Sequence, residues 1–368
     1  MDRVALLTDR LPQMIDDLAA LVAVESPSED LGACRAVVDQ AAGIGARLLD
    51  RRPEVLDVEG RAHVRWRFGP AGRVLVVGHL DTVWPLGTLA RRPFRVDGDV
   101  ATGPGCFDMK AGVVQALHAL STLDDLDGVE VLLTTDEEVG SQTSRRLVEE
   151  GARRARATLV CEPSADGGAL KLGRKGTGMY TLVVTGRAAH AGLEPEKGAN
   201  ALVEAAHLIL ALGPVARPHL GTTVTPTVAA SGTATNVVPA EAVVEVDVRV
   251  SVPAEAERVD AEVRALVATV PGCTLEVRGG LNRPPMPESS GPGLWAQARS
   301  IASALGLPAL RGVTVGGGSD GNLTAAVGCP TLDGLGPVGG GAHAVGEHVI
   351  VSAMPPRAAL LAELVRSI

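Results

Sequence analysis

Short, largely apolar runs that lead into acidic residues or histidines constrain the fold of this chain more than any other feature. Three such runs, at Val74–Val77, Val129–Leu133 and 157–160, have the length of strands. Helical segments separate them, one from Asp108 to about Leu120 and one over Ser141–Gly151. Because strands that are apolar throughout need cover on both faces, the alternation predicts an α/β fold with a parallel or mixed sheet between helices.

The order of elements changes near Gly173, which predicts a second domain inserted into the first. From there the pattern reads strand, helix, strand, strand, helix, strand, with the second helix expected over Pro253–Val270. That β-α-β-β-α-β order is the ferredoxin-like motif. We expect residues 1–174 and 283–368 to form one domain with a mixed sheet between helices, and 175–282 to form an inserted α+β domain.

Composition argues against several classes of function. The net charge is −9, there is no basic stripe, and only three Phe, three Trp and one Tyr are available for stacking, so nucleic-acid binding is not expected. No apolar run approaches the roughly 20 residues that a membrane-spanning helix needs. The first residues do not resemble a signal peptide, and five scattered cysteines fit reduced thiols. We therefore expect a cytoplasmic protein without membrane or nucleic-acid partners.

His79 and Asp81 directly follow the first apolar run. A neutral imidazole is a good zinc ligand, and a carboxylate that accepts its other N–H fixes the tautomer. The alternative is a loop that merely caps the next turn. Asp108, at an expected helix start, has the commoner role of N-cap as its alternative. The preceding Gly-Pro-Gly favours a tight turn that brings this carboxylate into a crowded place, where its two oxygens would bridge two cations.

Glu137 and Glu138 follow the second run, and two adjacent acids repel each other unless a cation lies between them or one is protonated. A division of roles resolves this, with one acid binding metal and the other acting as general base. A solvated acidic loop is the alternative. Glu162 follows the third run, and His343 lies in a glycine-rich loop. Each motif alone is weak, but the set is the ligand inventory of a two-zinc site.

These motifs, in this order, resemble a known family. The chain is similar to the dizinc aminoacylase, acetylornithine deacetylase and glutamate carboxypeptidase family over about 31–368, and within it most similar to bacterial glutamate carboxypeptidases that cleave folates. The resemblance implies a zinc-binding catalytic domain interrupted by a lid or dimerisation domain. It implies two zinc ions per subunit, although ligand type does not exclude cobalt or manganese. It implies five metal ligands: His79 and Glu162 on one ion, Glu138 and His343 on the other, and Asp108 bridging both.

The resemblance also assigns roles around the metal ligands. Glu137 would be the general base and Asp81 would orient His79. A cis peptide bond is implied between Asp108 and Met109. In the lid, His190 and Asn236 would stabilise the oxyanion or hold the substrate, and Arg249 would clamp a substrate carboxylate. For Arg249, pairing with Asp247 or Glu245 on the same strand face is the alternative.

The glycine-rich segment Gly316–Asn322 opens a helix but lacks the lysine of a phosphate-binding loop. By resemblance, Gly317, Gly318 and Ser319 would lie beside the substrate carboxylate or amide, and Arg283 would match a glutamate-binding arginine. The chain departs from the folate-cleaving type where Ala169 stands in place of a lysine, with Lys171 two residues on. Glutamate specificity is therefore not implied.

We predict a dinuclear zinc amide hydrolase that acts on a small N-acyl amino acid, peptide or amino-acid conjugate. Carboxypeptidase and N-deacylase activity, including an acetylornithine-deacetylase-like one, are alternatives that the sequence does not separate, because both release an amine bearing a carboxylate. A non-catalytic metal-dependent binder is a remote alternative. The lid strands would pair edge to edge in a homodimer.

Overall fold

The computed structural model describes residues 2–368, which divide into two compact units. The first unit runs to Gly173 and resumes over Glu288–Val315 and Ser319–Ile368. The second unit consists of Arg174–Pro287 with Gly316–Gly318. The chain therefore leaves the first unit after Gly173, returns to it at Glu288, and later contributes Gly316–Gly318 to the second unit.

The described chain up to Arg174 forms six α-helices and eight strands. The helices are α1 Arg3–Asp9, α2 Leu11–Val22, α3 Leu31–Leu49, α4 Thr88–Arg91, α5 Ala111–Leu120 and α6 Arg145–Arg154. The strands are β1 Glu54–Val58, β2 Arg61–Arg67, β3 Val74–His79, β4 Arg95–Asp97, β5 Val100–Thr102, β6 Val129–Thr134, β7 Ala157–Val160 and β8 Leu170–Arg174.

The rest of the chain continues this alternation. The second unit contains β9 Gly176–Thr185, α7 Ala201–Leu212, β10 Thr223–Ser231, β11 Glu241–Val250, α8 Pro253–Arg264 and β12 Thr274–Arg283. The returning chain contains α9 Pro292–Ala304, β13 Gly312–Val315, α10 Asp320–Ala326, β14 Thr331–Leu332, β15 Gly339–Gly340, β16 His348–Ile350 and α11 Met354–Ser367. No helix over residues 2–368 is both long and apolar enough to cross a membrane.

A six-stranded mixed sheet organises the first unit, in the order β1-β2-β6-β3-β7-β14. The central strand β3 is parallel to both β6 and β7, whereas β2 is antiparallel to β6. Every residue of β3 and β6 is buried. Because β3, β6 and β7 are parallel, their carboxyl ends lie at one edge of the sheet, which is where ligand sites of open α/β sheets form.

Alternate residues of β3 contribute to two different cores, one on each face of the sheet. Val74 and Val76 pack in the core that includes most residues of α5, while Leu75 and Val77 pack with α6 and α10. A Cβ added at Gly112 would lie 2.1 Å from the carbonyl oxygen of Cys161, so α5 approaches the end of β7 as closely as only glycine allows. Cover on both faces confirms the predicted α/β architecture.

The second unit is a four-stranded antiparallel sheet in the order β10-β11-β9-β12. Burial alternates along β9 and β11, so that one face is covered and the other is more open. Residues of α7 and α8 pack with the covered face in a separate core. Element order and strand order together are those of a ferredoxin-like fold, as predicted.

The structure corrects several predicted boundaries. The helix expected to open at Asp108 begins at Ala111, and the backbone of Asp108 is not helical. The peptide bond between Asp108 and Met109 is cis, as the resemblance implies. Helix α6 continues through Gly151 to Arg154. Helix α8 ends at Arg264, short of the predicted Val270.

Candidate metal centre

His79 is the last residue of β3 and its side chain is buried, with 1% of the residue exposed. Nδ1 lies 3.0 Å from the carbonyl oxygen of Asp81, which accepts the N–H and leaves Nε2 with a lone pair. Nε2 makes no hydrogen bond within the described chain, although carboxylate oxygens of Asp108 and Glu162 lie 3.3 and 3.5 Å away. A buried lone pair facing two carboxylates fits a cation placed between them.

Asp108 lies between two histidines. Its Oδ1 is 3.3 Å from Nε2 of His79, and its Oδ2 is 3.3 Å from Nε2 of His343. The same His343 nitrogen lies 3.1 Å from Oε2 of Glu138. His343 has a left-handed backbone with φ of 60°, which aims the ring from a glycine-rich loop. Asp108 therefore has the arrangement of a carboxylate that bridges two cations.

Two overlapping groups of ligand atoms are close enough to hold an ion. In one group the ligand atoms of His79, Asp108 and Glu138 lie within 4.8 Å of one another, and in the other those of His79, Glu137 and Glu162 do. The predicted base, Glu137, thus lies as close to His79 and Glu162 as a ligand would. All five predicted ligands and the predicted base are brought together at the carboxyl edge of the sheet.

Burial and crowding shift the pKa values of these groups. Burial alone would lower the pKa of His79, but Asp108, Asp81 and Glu162 raise it well above its usual value. Contacts with Asp108 and Glu138 raise the pKa of His343 to about 10. The carboxylates thus create a strongly negative field that favours protons on both rings. The same field favours a divalent cation in place of those protons, so metal binding should release protons.

Asp81 holds more than the His79 ring. Its carboxylate accepts the backbone N–H groups of Glu137 at 3.3 Å and Glu138 at 3.1 Å, and the hydroxyl of Ser28 at 2.7 Å. Asp136, which directly precedes Glu137, is buried and accepts four hydrogen bonds from Thr143 and Ser144. The loop carrying the two glutamates is therefore fixed by carboxylates on both sides.

Glu347 was not predicted from the sequence, and Lys171 was noted there without a role at the centre. Glu347 is buried four residues after His343 and accepts a hydrogen bond from the backbone of Asp108 at 3.1 Å. Lys171 lies with Nζ 3.9 Å from Oε2 of Glu162. The only sequence signal for Glu347 is its position four residues after His343, and that position alone did not identify a role for it.

In the second unit, His190 and Asn236 lie on paired segments, where the backbone N–H of Ala191 donates to the Asn236 carbonyl at 2.9 Å. The ring Nδ1 of His190 accepts the backbone N–H groups of Gly192 and Leu193 at 3.1 and 3.2 Å. Since Nδ1 is an acceptor, the proton of the neutral ring is on Nε2. His190 is exposed, and its oxyanion role stays a prediction.

Arg249 forms an ion pair with Asp247, which was the alternative to its predicted clamp role. Its Nε and terminal nitrogen lie 3.0 and 2.8 Å from the carboxylate of Asp247. Glu245 instead accepts from Thr181. Arg283, the predicted partner of a substrate glutamate, is buried at the end of β12. The clamp role of Arg249 remains a prediction, and it requires the guanidinium to serve two carboxylates.

The glycine-rich loop divides into two parts with different roles. The carbonyl groups of Gly317 and Gly318 both accept from Arg174 at 3.2 Å. Ser319 is buried, caps α10 and donates to Asp333 at 2.7 Å. The predicted helix start is confirmed, and the Ser319 hydroxyl is engaged inside the protein.

Comparisons with known proteins agree with this geometry. The profile of peptidase family M20/M25/M40 matches residues 75–367. Carboxypeptidase G2 of Pseudomonas sp. (strain RS-16) is 33% identical over 376 residues, covering 97% of this chain and 90% of that protein. A succinyl-diaminopimelate desuccinylase of Verminephrobacter eiseniae (strain EF01-2) is 30% identical over 303 residues, covering 76% and 74%.

The fold also matches solved structures. The M20 family metallo-carboxypeptidase Sso-CP2 from Sulfolobus solfataricus superimposes with a TM-score of 0.77 at 16% identity, covering 98% of this chain and 99% of that one. At that identity the likeness demonstrates a shared fold. Together with the profile match over residues 75–367 and the 33% identity to a carboxypeptidase, it places this chain in peptidase family M20/M25/M40, a family of metal-dependent hydrolases.

Proposed function

We propose that this protein is a two-metal amide hydrolase that cleaves an amide bond next to a carboxylate-bearing amino acid. The observation that carries the proposal is Asp108, whose two oxygens face His79 and His343 at 3.3 Å each. One carboxylate between two histidines, with Glu138 and Glu162 beside them, matches the donor set of a co-catalytic metal pair.

We propose zinc as the metal, held by His79, Glu162 and Asp108 on one side and by Glu138, His343 and Asp108 on the other. Nitrogen and carboxylate ligands of this kind suit zinc, and cobalt and manganese are alternatives. When bound, the metal pair lowers the pKa of a water molecule and stabilises negative charge on the amide oxygen.

Glu137 takes the proton from the attacking water and later gives it to the leaving amine. Two features support this role. The carboxylate of Asp81 holds the Glu137 backbone N–H, which fixes the start of the loop. A carboxylate oxygen of Glu137 lies within 4.8 Å of ligand atoms of His79 and Glu162, next to where the water would be activated. A general base so placed contributes about 10²- to 10⁴-fold to the rate.

The released group is proposed to be an amino acid with a free carboxylate. Among relatives, one is named for carboxypeptidase activity and others for succinyl-diaminopimelate desuccinylase activity. Both reactions free an amine that bears a carboxylate. The buried Ala169, in place of the lysine typical of folate-cleaving enzymes, argues against a requirement for glutamate. A deacylase acting on an N-acyl amino acid is the second candidate, supported by the desuccinylase relatives.

We further propose a homodimer formed through the second unit. The strand β10 is an edge of its sheet, and its residues beyond Pro226 are exposed. Exposed apolar residues also lie on α7, where Leu210 is 75% exposed. An exposed edge strand with apolar neighbours is a site for pairing with a second copy. Light scattering of wild type and Leu210→Lys tests this, and a monomeric wild type at micromolar concentration would refute it.

The decisive experiment is hydrolysis of a panel of N-acyl amino acids, dipeptides and glutamate conjugates by zinc-loaded protein. Glu137→Ala is expected to lose activity while it retains two zinc ions. Glu150→Ala, which removes a partly exposed acid that accepts a hydrogen bond from Arg146 on α6, is the matched control and should behave as wild type. Two bound zinc ions without hydrolysis of any class would contradict the proposal, as would loss of zinc from Glu137→Ala.

A further inference from the structure

Glu347 is a buried carboxylate directly behind the metal centre, with 1% of the residue exposed. It precedes β16 and lies four residues after His343 on the same loop. It is separated from the metal ligands by backbone, since its contacts in that direction are to N–H groups. It therefore has no part in the proposed proton transfer, and its burial needs another explanation.

Four N–H groups donate to this carboxylate, two to each oxygen. The donors are the Trp84 indole nitrogen at 2.8 Å, Gly105 N at 2.9 Å, Phe107 N at 3.0 Å and Asp108 N at 3.1 Å. A carboxylate has about four acceptor positions, so the group is saturated. Three donors are backbone groups of the turn that ends at Asp108. Glu347 thus determines where the Asp108 main chain lies.

The same contacts join two segments that carry metal ligands. The backbone of Glu347 belongs to the loop that carries His343. Its carboxylate accepts hydrogen bonds from the turn that carries Asp108. A second link runs in parallel, because Arg92 donates to the Val345 carbonyl at 2.7 Å and stacks on the Trp84 ring at 4.4 Å. The side chains of the two predicted ligands are close to each other, with Oδ2 of Asp108 3.3 Å from Nε2 of His343.

We propose that Glu347 is a positioning residue that sets the relative placement of Asp108 and His343 and thereby the affinity of the metal position that they share. The inference rests on the proposed two-metal function. The substitution Glu347→Gln keeps the volume of the side chain. The amide NH₂ of the glutamine, however, would face two N–H donors and could not accept hydrogen bonds from them. The turn of Asp108 would then shift away from the loop of His343.

The test is metal binding by Glu347→Gln. Calorimetry measures the affinity for zinc, and visible absorption reports on the environment of cobalt in the cobalt-loaded protein. Loss of a group that orients metal ligands typically lowers metal affinity about 10- to 100-fold. We expect a loss of that size at one of the two positions, together with an altered cobalt spectrum. Glu130→Gln is the matched control, since Glu130 is also buried in the first unit but pairs with Arg67 and Arg154 at the opposite end of β6.

Unchanged zinc affinity and an unchanged cobalt spectrum in Glu347→Gln would overturn the inference, and so would an equal loss in Glu130→Gln. Trp84→Phe removes one of the four donors and retains a ring for Arg92, so a severalfold loss at the same position is expected. If Glu347→Gln does not fold, Trp84→Phe alone tests the inference. The wild-type titration separates the two proposals, because absence of metal binding there refutes the proposed function itself.

Discussion

The two units of this protein use their sheets in opposite ways. In the first unit, β3 and β6 are buried along their whole length, and the reactive side chains follow the strand ends. In the second unit, burial alternates along β9 and β11, and one face of the sheet stays more open. A sheet covered on both faces has only its ends available for chemistry, whereas a half-covered sheet also offers a face and two edges for contacts.

The largest effect should come from the strand-end chemistry of the first unit. Glu137→Gln keeps the size of the side chain but removes the base, so kcat should fall about 10³-fold while zinc content stays the same. Steady-state kinetics with metal analysis on the same preparation measures both. A fall smaller than about tenfold would mean that another group accepts the proton.

Core truncations test the difference in burial directly. In β6, Leu132 and Leu133 are adjacent and both buried, in cores on opposite faces. Each change to Ala should cost about 2–5 kcal/mol of unfolding free energy. In β9, Leu182→Ala should cost a similar amount, but the half-buried Val183→Ala about 1 kcal/mol or less. Denaturant unfolding of the four variants gives the values, and equal costs at Leu182 and Val183 would contradict the half-covered sheet.

The second unit should contribute to catalysis through His190. Removal of an oxyanion donor typically lowers kcat about 10²- to 10³-fold. We expect His190→Ala to lose about 10²-fold in kcat without losing zinc. His207→Ala is the matched control, because His207 is an exposed histidine of the same unit that contacts Thr269. If both variants retain wild-type kcat, the predicted oxyanion role of His190 is wrong.

The sequence predicted the features that depend on local residue patterns and on which residues follow the ends of strands. Apolar runs place His79, Glu138 and Glu162 at one edge, because parallel strands bring their carboxyl ends together. The hydrogen bonds to Glu347 were not predictable, since most of its donors are backbone groups about 240 residues earlier that carry no side-chain signal. The ion pair of Arg249 was foreseen only as an alternative.

Short elements were missed for a related reason. The strands β4, β5, β15 and β16 have two or three residues each and form a separate small sheet. Strands of that length contain too few residues for a period of two to be recognised. The start of α5 was placed too early because Asp108 looks like an N-cap, whereas its backbone is committed to the metal-facing turn.

The smallest effect expected is an acid-dependent loss of stability in the second unit. Glu255 is buried on α8 and accepts hydrogen bonds from Arg258 at 2.5 Å and Thr222 at 2.7 Å. Arg258 is the largest cause that lowers the pKa of Glu255 to about 2. Since the folded pKa lies below the unfolded one, the ionised carboxylate stabilises the fold above about pH 4.3, and this contribution disappears as the pH falls toward 2.

Glu255→Gln should therefore be less stable than wild type at neutral pH, and the difference in Tm should shrink as the pH is lowered from about 4.3 to 2. Metal loss at low pH lowers the Tm of every variant, so the comparison is made between variants at each pH. Glu257→Gln changes an exposed acid on the same helix and should follow wild type throughout. A Tm difference between Glu255→Gln and wild type that does not depend on pH would show that Glu255 acts through packing, and the second unit would then lack the buried charge pair that we assign to it.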